Sequence, residues 1–191
     1  MRALSEVDVV GVVGAGTMGN GIAQVAATAG YDVVMRDVES EYVERGLDSV
    51  ADSLDRLAGK GALDEDPDAV RDRITGTTAL DDLAAADLVV EAVIEDLDVK
   101  RDVFADLNRV TDDDVILATN TSTLSLTPTP TSTARATDAL ALHFMTPVPI
   151  MDRVALAVGA RPAPAVVDFA PALAEDHGTE TARADAQHDF V

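Results

Sequence analysis

Cysteine is absent from the 191 residues, which excludes a disulfide framework, a thiol nucleophile and a thiolate metal site. No metal is expected. Lysine is almost absent, occurring at Lys60 and Lys100 alone. No stretch approaches the ~18 uninterrupted apolar residues that a membrane span needs. The opening Met1-Arg2-Ala3-Leu4-Ser5-Glu6 lacks the apolar run of a secretory signal, so a cytoplasmic protein is the expectation. Basic charge is scarce: 14 Lys and Arg stand against 35 Asp and Glu, a formal net charge of -21. A surface this negative repels nucleic acid and anionic lipid, and neither is expected as a partner.

The acids are dispersed, with runs no longer than Asp112-Asp113-Asp114, so they do not form an acidic interaction tail. An acid-rich, lysine-poor surface suits a salt-saturated cytoplasm, where screening over a few ångströms removes self-repulsion. The charge is therefore read as adaptation to solvent. Hydrophobic residues make up 47% of the chain, enough for one well-buried domain and a small appendage.

Val7 to Val13 is a short β-branched run ending at glycine, the pattern of a buried strand. Thr17 to Ala29 reads as a helix with Met18, Ile22, Val25 and Ala26 at helical spacing, stopped by Gly30. Tyr31 to Met35 gives a second strand. Further on, the pattern predicts a helix over Glu41 to Leu63 and strands at Ile74–Thr77 and Asp87–Ile94. A helix carrying Val99, Val103, Phe104, Leu107 and Val110 follows, then strands at Val115–Ala118 and Ala139–Phe144. Strands alternating with helices predict an α/β fold: a doubly wound, mostly parallel Rossmann-type sheet with helices on both faces. The Rossmann domain is expected over residues 1–158. Thr127 to Thr133 is low in complexity, with Pro128 and Pro130 barring a helix. Residues 159–191, with Pro162, Pro164 and Pro171, read as an irregular tail, a remnant of the end of that domain, and Thr179 to Val191 lacks a convincing apolar strand.

Gly14-Ala15-Gly16-Thr17-Met18-Gly19 is a G-x-G-x-x-G. It follows a predicted strand, opens a predicted helix, and has Asp37 at the end of the next strand, which is the context the motif needs. Gly14 permits the tight turn, Gly16 lets the backbone approach a pyrophosphate, and Gly19 lets helix and strand pack closely. The amides opening the helix, through Thr17 and Met18, then face the phosphates. Asp37 is suited to accept hydrogen bonds from the adenosine ribose and to repel a 2′-phosphate, which favours NAD over NADP. Arg36 beside it tempers that preference or points to solvent. A glycine turn that binds nothing is the plainer alternative, against which all three contextual features weigh.

The segments GVVGAGTMGNGIAQVAATAGYDVVMRD, EAVIEDLDVKRDVF, NTSTLS and LHFMTPVPIM together resemble the signatures of NAD-dependent L-3-hydroxyacyl-CoA dehydrogenases, over about residues 7 to 158. The resemblance implies an oxidoreductase of fatty-acid or acyl-CoA metabolism (β-oxidation), with an acyl-CoA substrate. It implies that Glu95 and Lys100 lie near the nicotinamide end of the cofactor, that Asn120, in the family's Asn-Thr-Ser turn, binds the cofactor, and that Ser122 of the same turn binds the substrate's 3-oxygen. His143 would be the base that takes the 3-hydroxyl proton, a task suited to a side chain titrating near neutrality. In that family a helical domain follows and completes the substrate site and dimer interface. It is expected to be missing here, so a homo-oligomer or a partner chain would supply it.

Plainer readings stand beside these. Glu95 and Lys100 read, on composition, as surface residues of a strand-to-helix junction. Ser122 suits a helix N-cap, and a lone histidine in an apolar strand is commonly a satisfied core residue. The sequence also departs from the family pattern. The glutamate that partners the histidine twelve positions on is Ala155 here, and an asparagine of the substrate site is Thr146. A second asparagine, from the helical domain, falls beyond residue 191. Two functions follow: a dehydrogenase, or a catalytically weakened NAD-binding module that needs a partner or is inactive.

Overall fold

The computed structural model describes residues 6–120, 140–144, 148, 153–158 and 180–185. Its elements run β1 (Val9–Val13), α1 (Thr17–Thr28), β2 (Asp32–Arg36), α2 (Ser40–Gly59), α3 (Pro67–Asp72), β3 (Ile74–Thr77), a 3-10 turn (Leu80–Ala85), β4 (Leu88–Glu91), α4 (Leu97–Val110), β5 (Ile116–Thr119), β6 (Leu140–Phe144), β7 (Arg153–Val158) and β8 (Glu180–Asp185). The strands form one sheet in the order β3-β2-β1-β4-β5-β6-β7-β8. Strands β1 to β6 are mutually parallel, β7 is antiparallel to β6, and β8 is parallel to β7. This is the doubly wound Rossmann order, as expected.

The central strands β1, β4 and β5 are mostly apolar because both faces are covered. Val10, Val12, Val33, Leu88, Val90, Ile116 and Ala118 pack with α1, α2 and α3 on one side. Val13, Val89 and Leu117 pack with Phe104 and Leu107 of α4 and Leu83 of the 3-10 turn on the other. The alternation follows the two-residue period of a strand.

Three sequence expectations change. The helix expected to Leu63 ends at Gly59: the chain turns at Gly61, whose φ of +66° is left-handed, and Leu63 folds back onto the core. Helix α3 was not expected, although its start is conventional, with Asp66 accepting from the Asp68 amide at 2.9 Å and Pro67 in the first turn. The irregular tail contains a strand. Glu180–Asp185, with sequence ETARAD, pairs with β7 along its length. Its charged and small residues give no apolar signal, as suits a strand at a sheet edge.

Arg73, between α3 and β3, fastens this side of the molecule. It donates to both Glu65 carboxylate oxygens at 2.7 and 2.6 Å and to the Ala27 carbonyl at the end of α1 at 3.0 Å. The hydrogen bonds from Arg73 hold the Glu65 carboxyl below the ordinary carboxylate range, and Glu65 in turn raises the Arg73 guanidinium. No helix among the described residues is long and apolar enough to cross a membrane.

Candidate active site

The parallel strands bring their carboxyl ends to one edge, and the winding reverses between β1 and β4. Ligands of open α/β sheets bind outside such a switch point. Here a cleft of about 620 Å³ lies between the glycine loop and the β4–α4 junction. Its wall includes Gly14, Gly16, Thr17, Asn20, Arg36, Asp37 and Val38, with Tyr42, Arg45 and Ser49 of α2 and Val93, Ile94, Val99 and Val103 opposite.

The three motif glycines have separate geometric reasons. Gly14 has a φ of +104°, and its amide donates to the Arg36 carbonyl at 2.8 Å. A Cβ on Gly19 would run into the Gly14 carbonyl oxygen, so helix and loop touch backbone to backbone. A Cβ on Gly16 would meet no protein atom within 4 Å. Packing therefore does not require glycine at 16, whereas close approach by a ligand does. Gly16 is the N-cap of α1 and makes no side-chain cap, and the first turn carries no acid. The first amides of a helix have no intrahelical acceptor, so this uncapped start presents donors and the positive end of the helix dipole to the cleft. Thr17 lines the cleft, while the Met18 side chain packs partly against the core, leaving its backbone amide as the part able to face a phosphate.

Asp37 holds the loop in place. One carboxylate oxygen accepts from the Ala15 amide at 2.7 Å and the other from the Val38 amide at 2.7 Å. An ionised carboxylate offers about four acceptor positions, so capacity remains for ribose hydroxyls. Arg36 turns its Nε to the Thr78 carbonyl at 3.3 Å. Val38 and Ile94, 63% and 70% exposed, flank the cleft as an apolar wall suited to a flat ring. Together the open space at Gly16, the bare amides and the acid at the end of β2 fit a dinucleotide.

At the end of β4 the structure brings together residues that the sequence reading only partly found. Glu91, fully buried, receives the Lys100 ammonium on both carboxylate oxygens at 2.8 and 3.0 Å, the Thr119 hydroxyl at 2.6 Å and the Val93 amide at 2.8 Å. Lys100 is 2% exposed, which overturns its reading as a surface residue. Glu95, with its side chain 47% exposed, lies 3.5 Å from the Lys100 Nζ. The Asn120 carbonyl is also 3.5 Å from that Nζ, and the Asn120 amide donates to the Glu91 carbonyl at 2.7 Å. Glu91 and Thr119 were not singled out from sequence. The available signal was an acid inside the otherwise apolar run DLVVEAVI, since fully buried carboxylates almost always have a partner.

His143 lies on β6. Ala141 pairs with Thr119 of β5, which brings His143, two residues on, to the carboxyl edge near Asn120. Its register partner on β7 is Ala155, so the strand pairing joins the histidine to the position where the resemblance calls for glutamate. Ser122 and Thr146 lie outside the described residues.

A family model described as 3-hydroxyacyl-CoA dehydrogenase, NAD binding domain, matches residues 9–187. The chain belongs to this family. NAD is its cofactor. Among similar curated proteins, a probable 3-hydroxybutyryl-CoA dehydrogenase of Deinococcus radiodurans is 43% identical over 144 residues, covering 75% of this chain and 52% of that protein. The 3-hydroxyadipyl-CoA dehydrogenase of Escherichia coli K12 is 35% identical over 186 residues, covering 97% of this chain and 39% of that protein. The crystal structure of (S)-3-hydroxybutyryl-CoA dehydrogenase PaaH1 from Ralstonia eutropha superimposes with a TM-score of 0.90 at 39% identity, covering 97% of this chain and 66% of that one. The chain spans about half the length of curated relatives it matches.

Proposed function

We propose that this NAD-binding domain serves the oxidation of an L-3-hydroxyacyl-CoA to the 3-ketoacyl-CoA, with NAD as hydride acceptor. The relatives named for 3-hydroxybutyryl-CoA and 3-hydroxyadipyl-CoA support the substrate class. The observation that carries the reading is the β5–β6 register, which sets His143 at the same sheet edge as Asn120 and the Glu91–Lys100 pair.

In this reading the amides of Gly16, Thr17 and Met18 hold the pyrophosphate, and Asp37 takes the adenosine ribose. Glu95, Lys100 and Asn120 border the nicotinamide end. Bound NAD supplies the electrophilic carbon that receives a hydride. His143 removes the proton from the substrate's 3-hydroxyl as hydride leaves C3, so the C–H and O–H bonds are exchanged for a carbonyl. Ser122 donates a hydrogen bond to that oxygen, and Thr146 stands in the substrate site. A helical domain would complete the acyl-CoA site, and the protein would work in the cytoplasm.

A second reading has its own observation. With Ala155 opposite His143, the base has no carboxylate at that register position to orient it. Neutralising the equivalent partner in the serine-protease triad costs about ten-thousand-fold in kcat, and the chain would then be a cofactor-binding module with slow chemistry. Oxidation of NADH by acetoacetyl-CoA in multimolar salt distinguishes the two. Steady turnover abolished in His143→Ala is expected of the dehydrogenase, and saturable NADH binding without turnover is expected of the module.

A further inference from the structure

Glu91 does not itself line the cleft, yet its side chain is held by several partners beside it. Its carboxylate accepts from the Val93 amide, the Thr119 hydroxyl and the Lys100 ammonium, while its backbone carbonyl accepts from the Asn120 amide. These groups belong to β4, β5, α4 and the connections leaving them. Stability alone does not account for such a pair. Replacing a buried ion pair by apolar residues of similar volume is often neutral or stabilising, and the surrounding strands are already apolar. What an ion pair adds is a fixed position for a charged group whose four-carbon stem is otherwise flexible.

We infer that Glu91 is a positioning residue. From inside the sheet it sets the Lys100 ammonium, the cleft-lining Val93 and the Asn120 backbone at the nicotinamide end of the site, without contacting the cofactor. This rests on the proposed orientation of NAD, with its adenosine half at Asp37 and its nicotinamide half at the β4–β5 ends. The Glu91 carboxylate has its hydrogen-bond partners at the β4–β5 ends, whereas the glycine loop, which follows the Glu91 register partner Val13, and Asp37 are held by their own hydrogen bonds.

The test compares two ligands that share the adenosine diphosphate ribose moiety. NADH and ADP-ribose are titrated calorimetrically, in multimolar salt, into the unaltered chain and into Glu91→Gln, which keeps the side-chain volume but removes the charge. Glu91→Gln is expected to weaken NADH binding about tenfold, the factor one charge-assisted hydrogen bond is worth, while ADP-ribose changes less than about twofold. Should Glu91→Gln fail to fold, Thr119→Val, which removes one anchor of the carboxylate, is expected to give the same selectivity at about threefold. Equal loss for both ligands would show general damage to the fold and overturn the inference, as would unchanged NADH binding in a folded variant. If the unaltered chain bound ADP-ribose and NADH equally well, no contribution from the nicotinamide end would exist to be positioned. If it bound neither, the cofactor reading itself would fail.

Discussion

Replacing Gly16 by alanine should separate binding from stability. The added Cβ meets no protein atom within 4 Å, and the backbone there has a φ of -68°, which any L residue adopts. Two small effects on folding oppose each other. Alanine reduces the freedom of the unfolded chain, worth about 0.4–1 kcal/mol in favour of folding, and is a poorer N-cap than glycine by a comparable amount. The unfolding midpoint should therefore move by less than about 1 kcal/mol in free energy. In the cleft the methyl group stands where a phosphate would meet the first amides of α1. Losing two hydrogen bonds to a charged group, at about 1.5 kcal/mol each, amounts to about a hundredfold in NADH affinity. Urea unfolding and NADH calorimetry on the same preparation give both numbers. Gly19→Ala is the contrasting control: its Cβ collides with the Gly14 carbonyl, and it should lose about 1–3 kcal/mol of stability, as overpacked sites do. NADH binding undiminished in Gly16→Ala would refute the argument that bare backbone holds the phosphates.

Three further outcomes are expected. Ala155→Glu, which places a carboxylate position opposite His143, should raise kcat for acetoacetyl-CoA reduction at least about tenfold, within the ten-thousand-fold scale set by orienting carboxylates; an unchanged kcat would count against the account of the weakness. Because the folded Glu65 carboxyl titrates lower than it would unfolded, its contribution to stability is present above the unfolded value and lost as pH falls through the folded one. Glu65→Gln should thus lower the thermal midpoint at neutral pH, and the two proteins should converge below the folded value in acid; a constant difference down to the lowest pH would contradict the linkage. With a net charge of -21, diluting salt from about 3 M to about 0.1 M lengthens the screening distance to roughly 10 Å and should lower the thermal midpoint substantially; a midpoint independent of salt would refute solvent adaptation.

What was legible in the sequence was local. The run from Val9 to Asp37 carries its own geometry: β-branched residues for a doubly covered strand, glycines at backbone contacts, and an acid one residue beyond β2. Strand β3 likewise falls on the expected Ile74–Thr77. What escaped depends on partners distant in the chain. Lys100 looked like a surface residue because its neighbours Glu95 to Arg101 are mostly charged, and only the folding of Thr119 against Glu91, 28 positions away, creates the buried site that receives it. Strand β8 escaped because ETARAD has no apolar face, and its pairing with β7 is made by backbone. Asn20 and Arg45, which line the cleft, carry no motif. Arg45 reaches it because α2 approaches the glycine loop so closely that a Cβ on Gly46 would come within 2.8 Å of the Ala15 carbonyl oxygen, and a glycine within an amphipathic helix was the available sign.

The most direct measurement is calorimetric titration of NADH into the unaltered, folded chain at multimolar salt, with circular dichroism recorded on the same sample. A saturable exothermic isotherm with one site per chain is predicted. A flat isotherm from a chain that retains its helical and strand signal would contradict the assignment of the α1 amino terminus as the phosphate site.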